Sequence, residues 1–305
     1  ISNGAKVKAL VQYNSFNSVG WLEEIGNHDS LEIILGDVRD TKFCIDFLKD
    51  VDACFHLAAL IAIPYSYNAP QSYIDVNVNG TNNICFSALE NNLSKLIHTS
   101  TSEVYGTAQY TPIDEKHPLQ PQSPYSASKI SADSIALSYF NSFDLPLSVI
   151  RPFNTFGPRQ SNRAVIPSII SQMIKNNGEI NLGDLSPKRD FNFVSDTVEG
   201  FCKILSSKES IGRTINIGSG VEYSVLETVE MIGNILGIKP KVNQESIRFR
   251  PKNSEVLRLL SDIKLAKDLL GYEPKVDFMD GLKMTAEWFL DENNLRKYRT
   301  DKYVI

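Results

Sequence analysis

The first residues in this sequence that could do chemistry lie one helical turn apart. Tyr125 and Lys129 stand in SPYSASK at i, i+4 spacing, which puts both on one face of a helix. A phenol and an ammonium so placed form an acid/base pair. The ammonium favours the phenolate and would bring the tyrosine down from a pKa of about 10 toward neutrality. Just upstream, HTSTSEVYG sets Thr101, Ser102 and Glu103 directly after an apolar run. That adds two hydroxyls and a carboxylate to the pair. The YxxxK spacing alone is common in helices, so its weight rests on the elements that position it.

Those elements alternate. KVKALV (6–11), LEIIL (31–35), VDACFHL (51–57), SKLIHTS (94–100) and LPLSVIRPF (145–153) read as strands. TKFCIDFLKD reads as a helix capped by Asp40, a long helix is expected from about Gln71 to Asn92, and another carries Tyr125. The strands are near-continuous apolar runs, as in a sheet covered by helices on both faces. After Gly157 the pattern loosens. A helix over 164–174, short strands INLGD and FNFV, a helix over 196–206, a strand over 213–218, a helix over 224–237 and helices after Asp262 and Asp280 are expected. The fold class is therefore α/β: a doubly wound, Rossmann-type parallel sheet with a smaller mixed C-terminal lobe. Residues 1–157 with 191–218 would bind a dinucleotide, and 158–190 with 219–305 would bind the substrate. The opening ISNGAKVKALV reads as a helix end, with Gly4 just past it, followed by a strand. No GxxGxxG occurs in the sequence, so the first strand, its Gly-rich turn and most of the first helix are expected ahead of residue 1.

Composition narrows the function. The net charge of −5 over 305 residues argues against a nucleic-acid surface and leaves room for a small anionic ligand. Cys44, Cys54, Cys85 and Cys202 show no metal-binding spacing and read mostly as buried thiols of a reducing, cytoplasmic compartment. The longest apolar run, FHLAALIAIP, is too short to span a membrane, and no signal peptide is visible.

In a doubly wound sheet the ligand sits beyond the carboxyl ends of the strands. Asp37 and Val38, then Ala58 and Ala59 preceded by Leu57, then Thr99, all fall at such ends. The first pair could meet an adenine, the alanines allow a ribose or phosphate to approach closely, and Thr99 would lie beside a nicotinamide. The ordered set HLAAL, NVNGT, STSEVYG, YSASK, RPFNTFGPR and RDFNFVSD resembles the extended short-chain dehydrogenase/reductase (NAD-dependent epimerase/dehydratase) family acting on nucleotide sugars, over essentially the whole chain. The resemblance implies a bound NAD or NADP, a nucleotide-sugar substrate between two lobes, and catalysis by Thr101, Tyr125 and Lys129. It implies that Asn77 supports the lysine, and that Asn154, Arg159, Arg189 and Arg250 lie near the nucleotide diphosphate, with Arg163 and Arg248 as weaker candidates. The strand expected to carry the acidic ribose ligand of NAD enzymes ends instead in Val11-Gln12-Tyr13-Asn14. Asn14 could serve either cofactor. NAD is expected from the family's habit, with NADP left open.

Ser102-Glu103 after Thr101 resembles the 4,6-dehydratases. The implied reaction oxidises C4 with Tyr125 taking the hydroxyl proton, removes the C5 proton with Glu103 as water leaves C6, and returns the hydride to C6. Ser102 is a poor acid, so Glu103 would hand its proton to the departing water. ALVQYNSFNSVGWLE and AALIAIPYSYNAPQSY are similar to the dehydratase of legionaminic acid biosynthesis, which implies a GDP- or UDP-linked N-acetylglucosamine. Ile63, Pro64, Tyr65 and Tyr67 would then line the sugar pocket, or else form a loop packed under the helix that follows. Alternatives are a 4-epimerase or a UDP-glucuronate decarboxylase-like enzyme on the same fold, and, from another class, a non-catalytic NAD(P)-binding regulator. A homodimer through the helices at 71–92 and 124–142 is expected from the family.

Overall fold

The structure, a computed structural model, describes residues 1–300; the end of the expected second lobe, 301–305, lies outside the described residues. In chain order the strands are β1 (Val7–Gln12), β2 (Leu31–Gly36), β3 (Ala53–His56), β4 (Lys95–Thr99), β5 (Leu147–Pro152) and β6 (Asn154–Phe156). They continue as β7 (Glu179–Leu182), β8 (Lys188–Phe193), β9 (Thr214–Ile217), β10 (Glu222–Ser224), β11 (Lys241–Gln244) and β12 (Arg258–Leu259).

β3, β4, β5 and β9 form a parallel sheet in the order β3-β4-β5-β9. Successive residues on its strands serve opposite cores. Leu96, Leu147 and Val149 pack with Ile84, Cys85, Ala88 and Ala136. Their neighbours Ile97 and Ile150 pack with Ile215, Ile217 and Tyr272 on the other face. Burial on both faces is why these strands read as unbroken apolar runs. β1 and β2 pair in parallel as a sheet of their own. The two sheets are joined by packing: Leu10 and Val38 enter the core that holds Leu96 and Leu147.

The helix expected over 71–92 is broken into three. Pro70–Tyr73 is α-helical, Ile74–Asn79 is π-helical, and Gly80–Glu90 is α-helical again. A π segment admits an extra residue into the turn and recurs at functional sites. Here it places buried Asn77 so that Oδ1 accepts from Leu60 N at 2.8 Å and Nδ2 donates to Leu60 O at 3.0 Å and Ser128 Oγ at 2.9 Å. Gly80 is required by close packing, because a Cβ there would stand 2.8 Å from Val38 Cγ2.

A further core is aromatic. Phe156, Phe191, Phe193 and Phe278 meet with helices Val165–Lys175 and Val225–Leu236. Phe191 and Phe278 stack at 5.1 Å between centroids, a geometry that adds about 0.5–1.5 kcal/mol to simple area burial. β6 pairs with β8, which is flanked by β10 and β12, while β7 pairs with β11. The last long helix starts at Phe278 and not after Asp280. Asp277 is its N-cap and accepts from Asp280 N at 2.8 Å, the earlier of two aspartates at the right spacing.

Candidate active site

The helix Pro124–Phe143 starts where it does for local reasons. Pro124 occupies its first turn, and Ser123 caps it reciprocally with Ser126: Ser123 Oγ accepts from Ser126 N at 3.1 Å and Ser126 Oγ accepts from Ser123 N at 3.0 Å. The first turn therefore holds Tyr125 rigidly at the end of β4, with Lys129 one turn on. Lys129 Nζ donates to Thr99 O at 2.6 Å. Thr101 extends from β4, caps the short 3₁₀ helix Ser102–Tyr105 by accepting from Glu103 N, and hydrogen-bonds Tyr125. Thr99, Thr101, Ser102, Glu103, Tyr125 and Lys129 are thus brought together, with Ser102, Glu103, Tyr125 and Lys129 buried.

Electrostatics correct one expectation. Burial pushes the Tyr125 phenol well above its ordinary value; the Thr101 hydrogen bond lowers it, and Glu103, Tyr73 and Asp133 raise it further. The ammonium of Lys129 does not bring it down here. Burial acts on Lys129 too, lowering it to about 8 against the opposing pull of Asp133. Desolvation, which spacing does not reveal, outweighs the attraction that spacing suggested.

Glu103 looks into a cluster of charge. Arg250 Nη1 lies 3.9 Å from Glu103 Oε2 and 3.6 Å from Glu255 Oε1, while Arg189 Nη2 lies 3.4 Å from the same Glu255 oxygen. Burial lowers the pKa of Arg189, with Arg250 adding to the effect and Glu103 and Glu255 opposing it. Beyond this cluster opens a cleft of about 270 Å³, lined among others by Pro64, Asn154, Gln160, Arg163, Arg189, Arg248, Arg250 and Glu255. Asn154 Oδ1 and Gln160 Oε1 are buried there without a hydrogen-bond partner, two acceptors suited to ligand N–H or O–H groups. Arg159 stands apart from this cleft. It is ion-paired to Glu24 at 2.9 Å and lines a neighbouring cavity with Trp21 and Lys297.

IPYSYN folds as a short helix, Ile63–Asn68. Pro64 lines the cleft, Ile63 packs with Tyr73 and Tyr125, and the Tyr67 and Ser254 hydroxyls are hydrogen-bonded at 2.6 Å.

The residues expected at a dinucleotide are more scattered. Asp37 follows β2, but its carboxylate is engaged by Arg39 at 2.6 Å; Val38 is buried and its carbonyl accepts from Asn83 Nδ2. Leu57 is exposed after β3, with Ala58 half-buried beside it and Ala59 next in the chain. Asn77 braces Leu60 and Ser128, with no hydrogen bond to Lys129. Asn14 bonds within its own loop, donating to Ser18 O at 2.8 Å. Thr99 Oγ1, next to the Lys129 anchor, is buried without a partner. Glu255, Gln160 and Tyr73 were not singled out by sequence reasoning. Glu255 stands in the motif RPKNSEV around Arg250, Tyr73 closes the stretch AALIAIPYSYNAPQSY and Gln160 directly follows RPFNTFGPR, so a place in or beside those motifs was the available signal.

Among the described residues no helix is long and apolar enough to cross a membrane, and no group of side chains could hold a metal ion.

The family model described as GDP-mannose 4,6 dehydratase matches residues 1–285. A putative UDP-glucose 4-epimerase of Methanocaldococcus jannaschii is 34% identical over 268 residues, 86% of this chain and 85% of that protein. A dTDP-D-glucose 4,6-dehydratase of Homo sapiens is 32% identical over 278 residues, 88% of this chain and 77% of that protein. The crystal structure of DesIV, a dTDP-glucose 4,6-dehydratase from Streptomyces venezuelae with NAD and TYD bound, superposes with a TM-score of 0.85 at 26% identity, covering 96% of this chain and 90% of that one.

Proposed function

This chain belongs to the GDP-mannose 4,6 dehydratase family of NAD-dependent epimerases and dehydratases, and from that premise we propose that it is a nucleotide-sugar 4,6-dehydratase. The observation that carries the reading is Glu103: a buried carboxylate two residues after Thr101, in the electrostatic field of Tyr125 and within ion-pair reach of Arg250. Simple redox at C4 needs no second base; elimination of water across C5 and C6 does.

Bound NAD would accept a hydride from C4 and return one to C6. The chain's own residues do the rest. The 4-hydroxyl proton passes to Tyr125 once that phenol has given up its own, against the burial that raises it, with Thr101 orienting the ring and Lys129, charged below about pH 8, on the same helix face. The ketone so formed acidifies the neighbouring C5 proton, which Glu103 removes and passes to the water leaving C6; as the hydride returns to C6, C5 takes up a proton from solvent, and Tyr125 releases the one it took. Arg189 and Arg250 bind the diphosphate in the cleft, and Asn154 and Gln160 supply acceptors to the nucleoside. Lys129 and the unpartnered Thr99 hydroxyl suit the ribose and nicotinamide end of NAD. The substrate we propose is GDP- or UDP-linked N-acetylglucosamine, as in legionaminic acid biosynthesis, held by the lobe that contains the cleft.

Turnover of GDP- and UDP-N-acetylglucosamine followed by mass spectrometry tests this. A product lighter by one water supports dehydration. An isomer of unchanged mass would overturn it in favour of 4-epimerisation, the reading that the Methanocaldococcus relative favours.

A further inference from the structure

Behind the catalytic helix lies a buried polar cluster that the reaction as described does not use. Asp133 follows Lys129 by one helical turn, on the same face. Its Oδ2 accepts from Arg151 Nη2 at 2.9 Å, Arg151 Nε at 3.2 Å and Ser100 Oγ at 2.7 Å; its Oδ1 faces His98 Nε2 at 3.1 Å. All four side chains are buried. His98 Nδ1 has no partner, so the ring proton belongs on Nε2, where it is donated to the carboxylate. Arg151 reaches on to Tyr105 Oη at 3.0 Å, and Tyr105 donates to Asn216 Oδ1 at 2.8 Å.

The strand geometry ties this cluster to Lys129. Side chains of β4 alternate in direction, so His98 and Ser100 both meet Asp133. The residue between them, Thr99, gives its carbonyl to Lys129 Nζ. One turn of helix is therefore fastened to one strand end at two points: a carboxylate to side chains and an ammonium to the backbone.

We propose that Asp133 is a positioning residue for the reaction: its carboxylate clamps the catalytic helix to β4 and β5 and balances the buried charge that Lys129 must carry. Without Asp133, Lys129 loses the carboxylate that opposes its desolvation, whether or not Arg151 remains, and gives up its proton more readily. Among the described residues, Asp133 is the one charged group opposing the desolvation of Lys129, which stands at about 8. The groups facing Asp133 itself are Arg151, His98 and Ser100.

This rests on the role of Tyr125 and Lys129 given above. The test compares the holoenzyme with Asp133→Asn, Asp133→Glu and the double variant Asp133→Asn/Arg151→Met, in which no buried guanidinium loses its partner. The readouts are the high-pH limb of kcat and an NMR titration of the Lys129 ε-methylene group. In both Asn-containing proteins the limb and the Lys129 titration move down together, and a limb lowered by about one pH step costs about tenfold in kcat above it. KM for the nucleotide sugar stays within about threefold, and Asp133→Glu restores the limb even if it is less stable. An unmoved Lys129 titration in either folded Asn-containing protein overturns the proposal. If the parent enzyme forms no product at all, the assignment of the reaction fails instead, while the NMR arm still decides the role of Asp133.

Discussion

Glu103→Gln separates elimination from oxidation. Glutamine keeps the volume and one acceptor oxygen but cannot take a proton. The surrounding charges absorb the change: Arg250 retains Glu255 at 3.6 Å, and its contact with Glu103 is already long, at 3.9 Å. The cluster of Glu103, Glu255, Arg189 and Arg250 passes from neutral to a net charge of +1, which does not weaken a diphosphate, so KM holds or falls. A positioned general base contributes about 10²–10⁴-fold, or about 3–5 kcal/mol of barrier. Dehydration, followed as the mass loss of one water, should fall by that factor. Tyr125 and Lys129 are untouched, so exchange of the C4 hydrogen with bound NAD, read with C4-deuterated substrate, should persist. Dehydration within tenfold of the parent at unchanged KM would show that Glu103 is not the base and would remove the main support for the dehydratase reading.

Other expectations follow from the same geometry. Tyr125→Phe should abolish C4 oxidation, by at least about a hundredfold, while thermal unfolding stays close to the parent; turnover at the parent rate would refute the acid/base role. Arg189→Met should raise KM about 10–150-fold with a smaller effect on kcat, the value of about 1.5–3 kcal/mol for a charged hydrogen bond, as steady-state kinetics would show. Activity should decline as pH rises past about 8, where Lys129 loses its proton. The contribution of Lys129 to stability runs the other way. Its folded pKa lies below the ordinary 10.5, so between those values the unfolded chain holds a proton that the folded chain lacks, and stability gains with pH. Calorimetry beside a kcat profile checks the divergence.

The parts of the site carried on consecutive residues were legible in the sequence. Thr101 to Glu103 and Tyr125 with Lys129 are fixed by a strand end, a capping box and one helical turn, all local. The Arg189–Glu255–Arg250 cluster joins residues far apart in the chain, and only the flanking motifs hinted at it. Asn77 was found by type, yet its partners are Leu60 and Ser128, because the π-helical turn that directs it leaves no signature in hydrophobic periodicity. The direction in which Tyr125 is pushed was missed for a related reason: spacing reports neighbours on one helix, whereas desolvation depends on everything packed around it.

The hydroxyl contact between Tyr67 and Ser254 spans 187 residues, and it stands beside the likewise distant meeting of Glu103 with Arg250. Both have a consequence in time. At synthesis rates of about 5–20 residues per second, roughly 10–40 s separate emergence of the first partner from the second. Throughout that interval the nascent chain can own Thr101, Tyr125 and Lys129 while Glu103 and the diphosphate both lack Arg250. Such distant closures are also slow to find by diffusion of the chain. The pair that oxidises is thus drafted early, and Arg250 and Glu255, which complete the charge cluster about Glu103, arrive only with the last fifth of the sequence.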